Sequence, residues 1–125
     1  KYNGDGSFGW HTAVKGYFDE EFNAIEATDD GYVAVGSSCS SNRDLKAVGN
    51  RGGSDALVVT FSNGGSLKSI QSYGGSRDDS FGGVCVLSDG QIIACGSTYS
   101  DNGDLIGSKY LSNGSASMGM IARFK

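Results

Sequence analysis

FNAIEATDDGYVAVGS at residues 22–37 returns at residues 81–97 as FGGVCVLSDGQIIACGS. The two copies are offset by 59 residues before the Asp-Gly dipeptide turn and by 60 residues at their ends. Short apolar runs alternate in each copy with Gly, Ser and Asp, a pattern typical of β-strands joined by tight turns. A fixed offset of this length predicts that one supersecondary unit occurs twice in the chain.

The repeat extends on both sides of this stretch. Asn42, Asp44 and Leu45 match Asn102, Asp104 and Leu105, residues 56–61 match 119–124, and residues 6–8 match 65–67. We therefore expect a single all-β domain over residues 1–125, made of two repeats at about 8–66 and 67–125. Each repeat has four predicted strands, at 8–14, 22–28, 32–37 and 56–61, and then at 67–73, 81–87, 91–97 and 118–124.

Composition and charge exclude several classes of protein. Glycine occurs 21 times among 125 residues and proline is absent, so close-spaced Gly and Ser leave no room for a long helix. The net charge is −4, which argues against nucleic acid or an anionic membrane as a partner. No apolar run is long enough to span a bilayer, so we expect no membrane insertion.

The predicted strands favour sheets that are buried on both faces. Residues 57–59 and 92–94 are apolar without alternation, as in sheets packed between other sheets. Two four-stranded antiparallel repeats of this kind are typical of β-propeller blades, and a small β-sandwich is the alternative. Propellers close with about four to eight blades. The chain would therefore be part of a longer propeller, or a head-to-tail homo-oligomer in which residues 8–14 of one copy pair beside 118–124 of the next.

Several short motifs carry a resemblance to a known family. They are YGGSRDDSF at 73–81, SDG at 88–90, ACGS at 94–97, and DALVV at 55–59 with Asn63-Gly64. With these motifs the chain resembles bacterial extracellular β-propeller-type repeats over nearly its whole length. The resemblance implies a secreted or cell-surface protein whose partner is a glycan or a cell-surface protein. It implies little about activity, because propellers serve as enzymes, lectins and scaffolds.

Catalytic patterns are scarce in this sequence. His11 is the only histidine, and no Gly-x-Ser-x-Gly motif is present, so we expect no enzyme of the Ser-His-Asp type. The acidic pair Asp78-Asp79 repeats at residues 19–20 and could serve a glycoside hydrolase, which uses two carboxyl groups. Adjacent strand residues point to opposite faces, so we expect instead that these acids accept backbone hydrogen bonds in turns.

Two other groups of residues suggest structural sites. Asp101 and Asp104 have the short spacing of oxygen ligands in calcium loops, although the matching loop of the first repeat contains Arg43; an Asn-Gly turn is the alternative, and no other cofactor is expected. Cys85 and Cys95 flank a hairpin turn. A register that places them directly opposite predicts a disulfide candidate, and the alternative is two small buried apolar side chains.

Aromatic residues in Gly, Ser and Asn loops are the best sign of ligand binding. Trp10, Tyr99 and Tyr110 can stack on sugars, and Asp101 and Asn102 can bind hydroxyl groups; the alternative is that these aromatic rings pack in the core. The sequence therefore favours a non-catalytic extracellular binding or adhesion module, with carbohydrate as the candidate ligand. The alternative from another class is a structural repeat that spaces or displays neighbouring domains.

Overall fold

A computed structural model describes residues 1–106 and 116–125, and these residues form an all-β protein. Seven strands make two antiparallel sheets. Sheet 1 contains β1 (Glu20–Thr28), β2 (Gly31–Ser38), β3 (Asp55–Ser62) and β4 (Leu67–Tyr73), in that order. Sheet 2 contains β5 (Asp79–Val86), β6 (Ile92–Thr98) and β7 (Met118–Phe124). Short 3₁₀ helices lie at Arg43–Leu45 and Gly103–Leu105, and the described residues contain no helix with the length and apolarity to cross a bilayer.

The prediction of one four-stranded sheet per repeat is wrong in two respects. Sheet 2 has three strands among the described residues, and residues 67–73, predicted to open the second repeat, form β4 at the edge of sheet 1. Seven of the eight predicted strands are present, with ends that differ by at most two residues. The missing one is 8–14, where Phe8 makes an isolated bridge to Tyr2 and the rest is not a strand. A strand requires a continuous ladder with a neighbouring backbone, and among the described residues this segment continues no ladder beyond the bridge at Phe8.

The hairpin registers differ from those predicted. The sequence predicts the first turn at the Asp30-Gly31 dipeptide. It is instead centred on Asp29-Asp30, because Thr28 pairs with Gly31, and Gly31 is therefore the first residue of β2. Gly31 does not adopt a positive φ. A Cβ on Gly31 would lie 1.8 Å from the carbonyl oxygen of Phe61, so glycine is needed there for the close approach of β3. In the second hairpin Gly90 does have the expected positive φ, of 80°.

The main hydrophobic core lies between the two sheets. Sheet 1 contributes Val33, Val35, Ala56 and Val58, and sheet 2 contributes Phe81, Ile92 and Ala94. The Phe81 ring is fully buried and contacts the rings of Tyr73 and Phe124, at 6.2 and 5.9 Å between centroids, and those two rings also contact each other. The stacked faces of the two sheets therefore form one continuous core.

A second core covers the opposite face of sheet 1. Leu57, Val59 and Phe61 pack there with Val14 from the N-terminal segment and Leu45 from the first 3₁₀ helix. The central strands β2 and β3 are thus covered on both faces, as their continuous apolar runs predict, whereas Phe22 and Ile25 of β1 are exposed. The outer face of sheet 2 has no such cover among residues 1–106 and 116–125, and Ile121 on it is 76% exposed.

Candidate functional site

The repeated acids lie in two equivalent corners, where each sheet's first strand begins. In the second corner the Asp79 carboxylate accepts hydrogen bonds from the Gly75 N–H and the Ser100 hydroxyl, both at 2.8 Å, and from the Thr98 hydroxyl. In the first corner the Glu20 carboxylate accepts from Gly16 N–H at 2.9 Å and from the Ser38 hydroxyl at 3.0 Å. The same architecture is therefore built twice, with the acid fixing the chain that enters the sheet.

The acidic neighbours Asp78 and Asp79 differ sharply in environment. Asp79 is 1% exposed and both of its carboxylate oxygens accept hydrogen bonds from the protein. Asp78 is exposed, and its Oδ1 accepts a hydrogen bond of 2.9 Å from the backbone N–H of Ser54. These bonds agree with the predicted role of the acids as acceptors in turns. Asp79 cannot reach a substrate in this arrangement, because its carboxylate is enclosed by its own donors.

A buried carboxylate that the sequence did not single out lies beside this corner. Asp55 begins β3, and its Oδ2 accepts from the Arg51 guanidinium at 3.0 Å. Burial raises the pKa of Asp55 above its ordinary value of 3.8, and Asp79 adds to the shift, although Arg51 opposes it. Asp55 Oδ1 is buried without a hydrogen-bond partner among the described residues. In the sequence, Asp55 stands directly before an apolar strand. Its equivalent in the second repeat is Met118, so this acid does not recur as the corner acids do.

The residues predicted to bind ligand do not form one site. The indole Nε1 of Trp10 donates to the carbonyl of Asn63, just after β3 ends. The backbone N–H of Tyr99 donates to the carbonyl of Asp78, beside the start of β3. An eight-residue strand at about 3.3 Å per residue separates these two ends by about 25 Å. Tyr110 lies outside the described residues.

One end of the molecule carries a group of exposed aromatic rings. Tyr17 and Phe18 are 68% and 67% exposed in the first corner, and Tyr99 is 39% exposed in the second. The Arg43 guanidinium lies 4.6 Å from the centroid of the Tyr17 ring, which holds one face of that ring. Arg43 has a positive φ of 51°, so the loop adopts a left-handed backbone at this contact. We call Tyr17, Phe18 and Tyr99 the loop-end aromatics.

Asp101 and Asn102 are exposed in the loop that follows Tyr99. Asn102 is used structurally, because its Oδ1 accepts from the Ser76 N–H at 2.8 Å and its Nδ2 donates to the Ser76 hydroxyl at 2.9 Å. Asp101 presents a carboxylate to solvent, close in sequence to the Tyr99 ring. This loop therefore offers one free acid and one ring, on a backbone that Asn102 holds in place.

The calcium candidate, Asp101 with Asp104, includes a carboxylate that already has protein partners. Asp104 Oδ2 accepts from Gly74 N–H at 3.2 Å and lies 3.2 Å from the Arg51 guanidinium. The Arg51 guanidinium already neutralises the Asp104 carboxylate, and its positive charge would repel a metal cation at this position. The described residues contain no group of three His, Cys, Asp or Glu side chains arranged to hold a metal ion.

The cysteine register is a correction to the prediction. Cys85 lies opposite Ile93, and Cys95 lies opposite Gly83, so the two thiols are diagonal neighbours and are not directly paired. The reason is the turn. Direct pairing of Cys85 with Cys95 requires a turn centred on Gly90, whereas the turn is centred on Asp89. All three cysteines are exposed, so the alternative of two buried apolar side chains is wrong. Desolvation and the nearby carboxylates, Asp19 foremost among them, raise the pKa of the Cys39 thiol, which disfavours the reactive thiolate.

Comparison of the chain with protein-family models, curated proteins and solved structures finds no significant match. The features that bear on function are therefore the two corners, the sheet faces and the loop-end aromatics.

Proposed function

We propose that this chain is a non-catalytic extracellular binding module of propeller type that binds carbohydrate with its loop-end aromatics. The observation that supports this most is the exposure of Tyr17, Phe18 and Tyr99 at one end of both sheets, where loops join the strands. Exposed rings on a rigid sheet framework provide flat apolar surfaces on which sugar rings stack. Asp101 adds a solvent-facing carboxylate that can accept hydrogen bonds from hydroxyl groups.

The propeller-type arrangement is supported by the equivalence of the two corners. Stacked sheets that repeat the same hydrogen bonds are what a series of blades requires, whereas a sandwich has no need to repeat them. The non-catalytic part of the proposal is supported by the state of the acids. Glu20 and Asp79 are held by backbone and hydroxyl donors, so neither of these two acids has a carboxylate free to act on a substrate.

Tyr99→Ala tests the proposal on a glycan array. For a glycan that the native chain binds, we expect the affinity to fall by about tenfold or more, because the stacking surface is lost. Tyr17→Ala should act in the same direction. Tyr2→Ala is the matched control, since Tyr2 is an exposed tyrosine at the opposite end of the sheets, and it should leave affinity unchanged. Absence of any glycan binding, or equal losses in all three variants, would contradict the proposal.

A structural spacer or display repeat is the second candidate. It is favoured by the outer face of sheet 2, where the apolar side chain of Ile121 is exposed, as is typical of protein–protein interfaces. For a spacer, we expect no glycan to bind and the three tyrosine variants to behave alike. The same array therefore separates the two functions.

A further inference from the structure

The two repeats correspond bond by bond where the chain enters each sheet. Lys15 N–H donates to Asp44 Oδ2 at 2.9 Å, and Gly74 N–H donates to Asp104 Oδ2 at 3.2 Å. In return, the N–H groups of Asp44 and Asp104 donate to the carbonyls of Lys15 and Gly74. Position 15 is therefore equivalent to position 74. The segment before position 15, residues 8–14, is then equivalent to β4, residues 67–73.

These equivalent segments have different partners. Residues 67–73 form β4 and pair along β3, which completes sheet 1. The strand of sheet 2 that matches β3 is β7, and its second edge has no neighbouring strand among the described residues. Residues 8–14 form only the bridge at Phe8, although they match β4. The chain thus contains an open strand edge and a strand-like segment that does not reach it.

The outer face of sheet 2 shows the same inequality. Ile93, Cys95 and Ile121 on this face are equivalent to Val33, Val35 and Val58 of sheet 1. The three valines are buried because sheet 2 packs on them, whereas Cys95 and Ile121 are exposed. The valine face of sheet 1 is covered by sheet 2, which places Phe81 and Val84 against it. An equivalent covering surface is present once more, at Phe22 and Ile25 of sheet 1, which are exposed.

We propose that sheet 2 binds a second copy of this chain, which adds its residues 8–14 to the edge of β7 and lays its Phe22 and Ile25 on Ile93, Cys95 and Ile121. The register follows from sheet 1, where β3 and β4 pair Ala56 with Tyr73, Val58 with Gln71 and Thr60 with Ser69. The corresponding pairs between copies are Gly119 with Val14, Ile121 with Thr12 and Arg123 with Trp10.

A second copy fits because it supplies the strand and the covering face together. The donor and acceptor surfaces are different parts of the molecule, so the contact is head-to-tail. Within one molecule the same contact is excluded, because Thr12 lies on the far side of sheet 1, where it donates to the carbonyl of Gly65. Both sheets separate Thr12 from Ile121. This interface goes beyond glycan binding, and either can exist without the other.

Engineered disulfides test the register. In a background with the three native cysteines replaced by alanine, a Thr12→Cys chain is mixed with an Ile121→Cys chain under oxidising conditions. We expect a disulfide-linked heterodimer on non-reducing gels, because directly opposite Cβ atoms lie about 4.5 to 5.5 Å apart. The matched control pairs Thr12→Cys with Arg123→Cys, which is two residues out of register and should yield several-fold less product. Equal yields from the two mixtures would overturn the proposed register.

Ile121→Lys tests the face without disturbing the monomer, because this side chain is 76% exposed. Light scattering of the native chain from micromolar to near-millimolar concentration should show a rise above 12.9 kDa to a multiple of that mass. The Ile121→Lys variant should remain at 12.9 kDa with unchanged circular dichroism. A native chain that stays at 12.9 kDa throughout, with no cross-linked product in the disulfide experiment, would overturn the proposal.

Discussion

Phe81→Ala is expected to lower the free energy of unfolding by about 3 to 5 kcal/mol. Phe81 is fully buried where the two sheets meet, and its ring contacts those of Tyr73 and Phe124. Truncation removes this apolar contact from both sheets and leaves a cavity that the flanking strands cannot fill. Urea denaturation followed by circular dichroism measures the loss. If the alanine variant does not fold, Phe81→Leu should still fold with a smaller loss.

The matched control is Phe22→Ala. Phe22 is the same residue type at the equivalent position of the first repeat, but it is 41% exposed. We expect a loss of no more than about 1 to 2 kcal/mol, because much of the ring already contacts water. Similar losses for the two variants would mean that the two rings are equally buried, which contradicts the buried environment assigned to Phe81 and the exposed one assigned to Phe22.

Asp79→Ala is expected to cost about 3 kcal/mol or more. The substitution leaves the Gly75 N–H and the hydroxyls of Thr98 and Ser100 without their acceptor in a buried corner. Asp79→Asn should cost less, because its remaining carbonyl oxygen can still accept from Gly75 and Ser100. The measurement is again the midpoint and slope of urea denaturation.

Asp78→Ala is the control for this corner, since Asp78 is adjacent but exposed, and we expect a loss of no more than about 1 kcal/mol. Equal costs at positions 78 and 79 would contradict the assigned role of Asp79. The Asn variant also addresses the glycoside hydrolase alternative. That alternative requires a glycosidase activity that Asp79→Asn abolishes, and we expect no such activity in the native chain.

Strand positions could be predicted because the repeat and the apolar runs report on local structure. Register could not, because it depends on which residues form the turn. Asp29-Asp30 and Asp30-Gly31 are both acceptable two-residue turns, and the choice is made by the close approach of β3 to Gly31. That contact joins residues far apart in sequence. In the second hairpin the turn is centred one residue earlier than predicted, which moves the partner of Cys85 by two positions, from Cys95 to Ile93.

Burial was harder to predict than strand position for a similar reason. Val35 and Cys95 are equivalent in the repeat, and each lies in an apolar strand. Only the stacking of the sheets decides that Val35 is buried and Cys95 exposed. The same limit applies to the predicted ligand residues. Trp10 and Tyr99 both lie in polar, glycine-containing sequence, but in the fold they lie beside opposite ends of β3.

The central claim is that equivalent positions of the two repeats have opposite environments, and thiol labelling tests it most directly. One variant keeps Cys95 alone, with Cys39 and Cys85 replaced by alanine. Its partner replaces all three cysteines by alanine and carries Val35→Cys. In dilute solution we predict that a maleimide labels Cys95 rapidly and the Val35→Cys thiol at least about a hundredfold more slowly, through opening of the fold. Comparable labelling rates in the two folded variants would contradict the account.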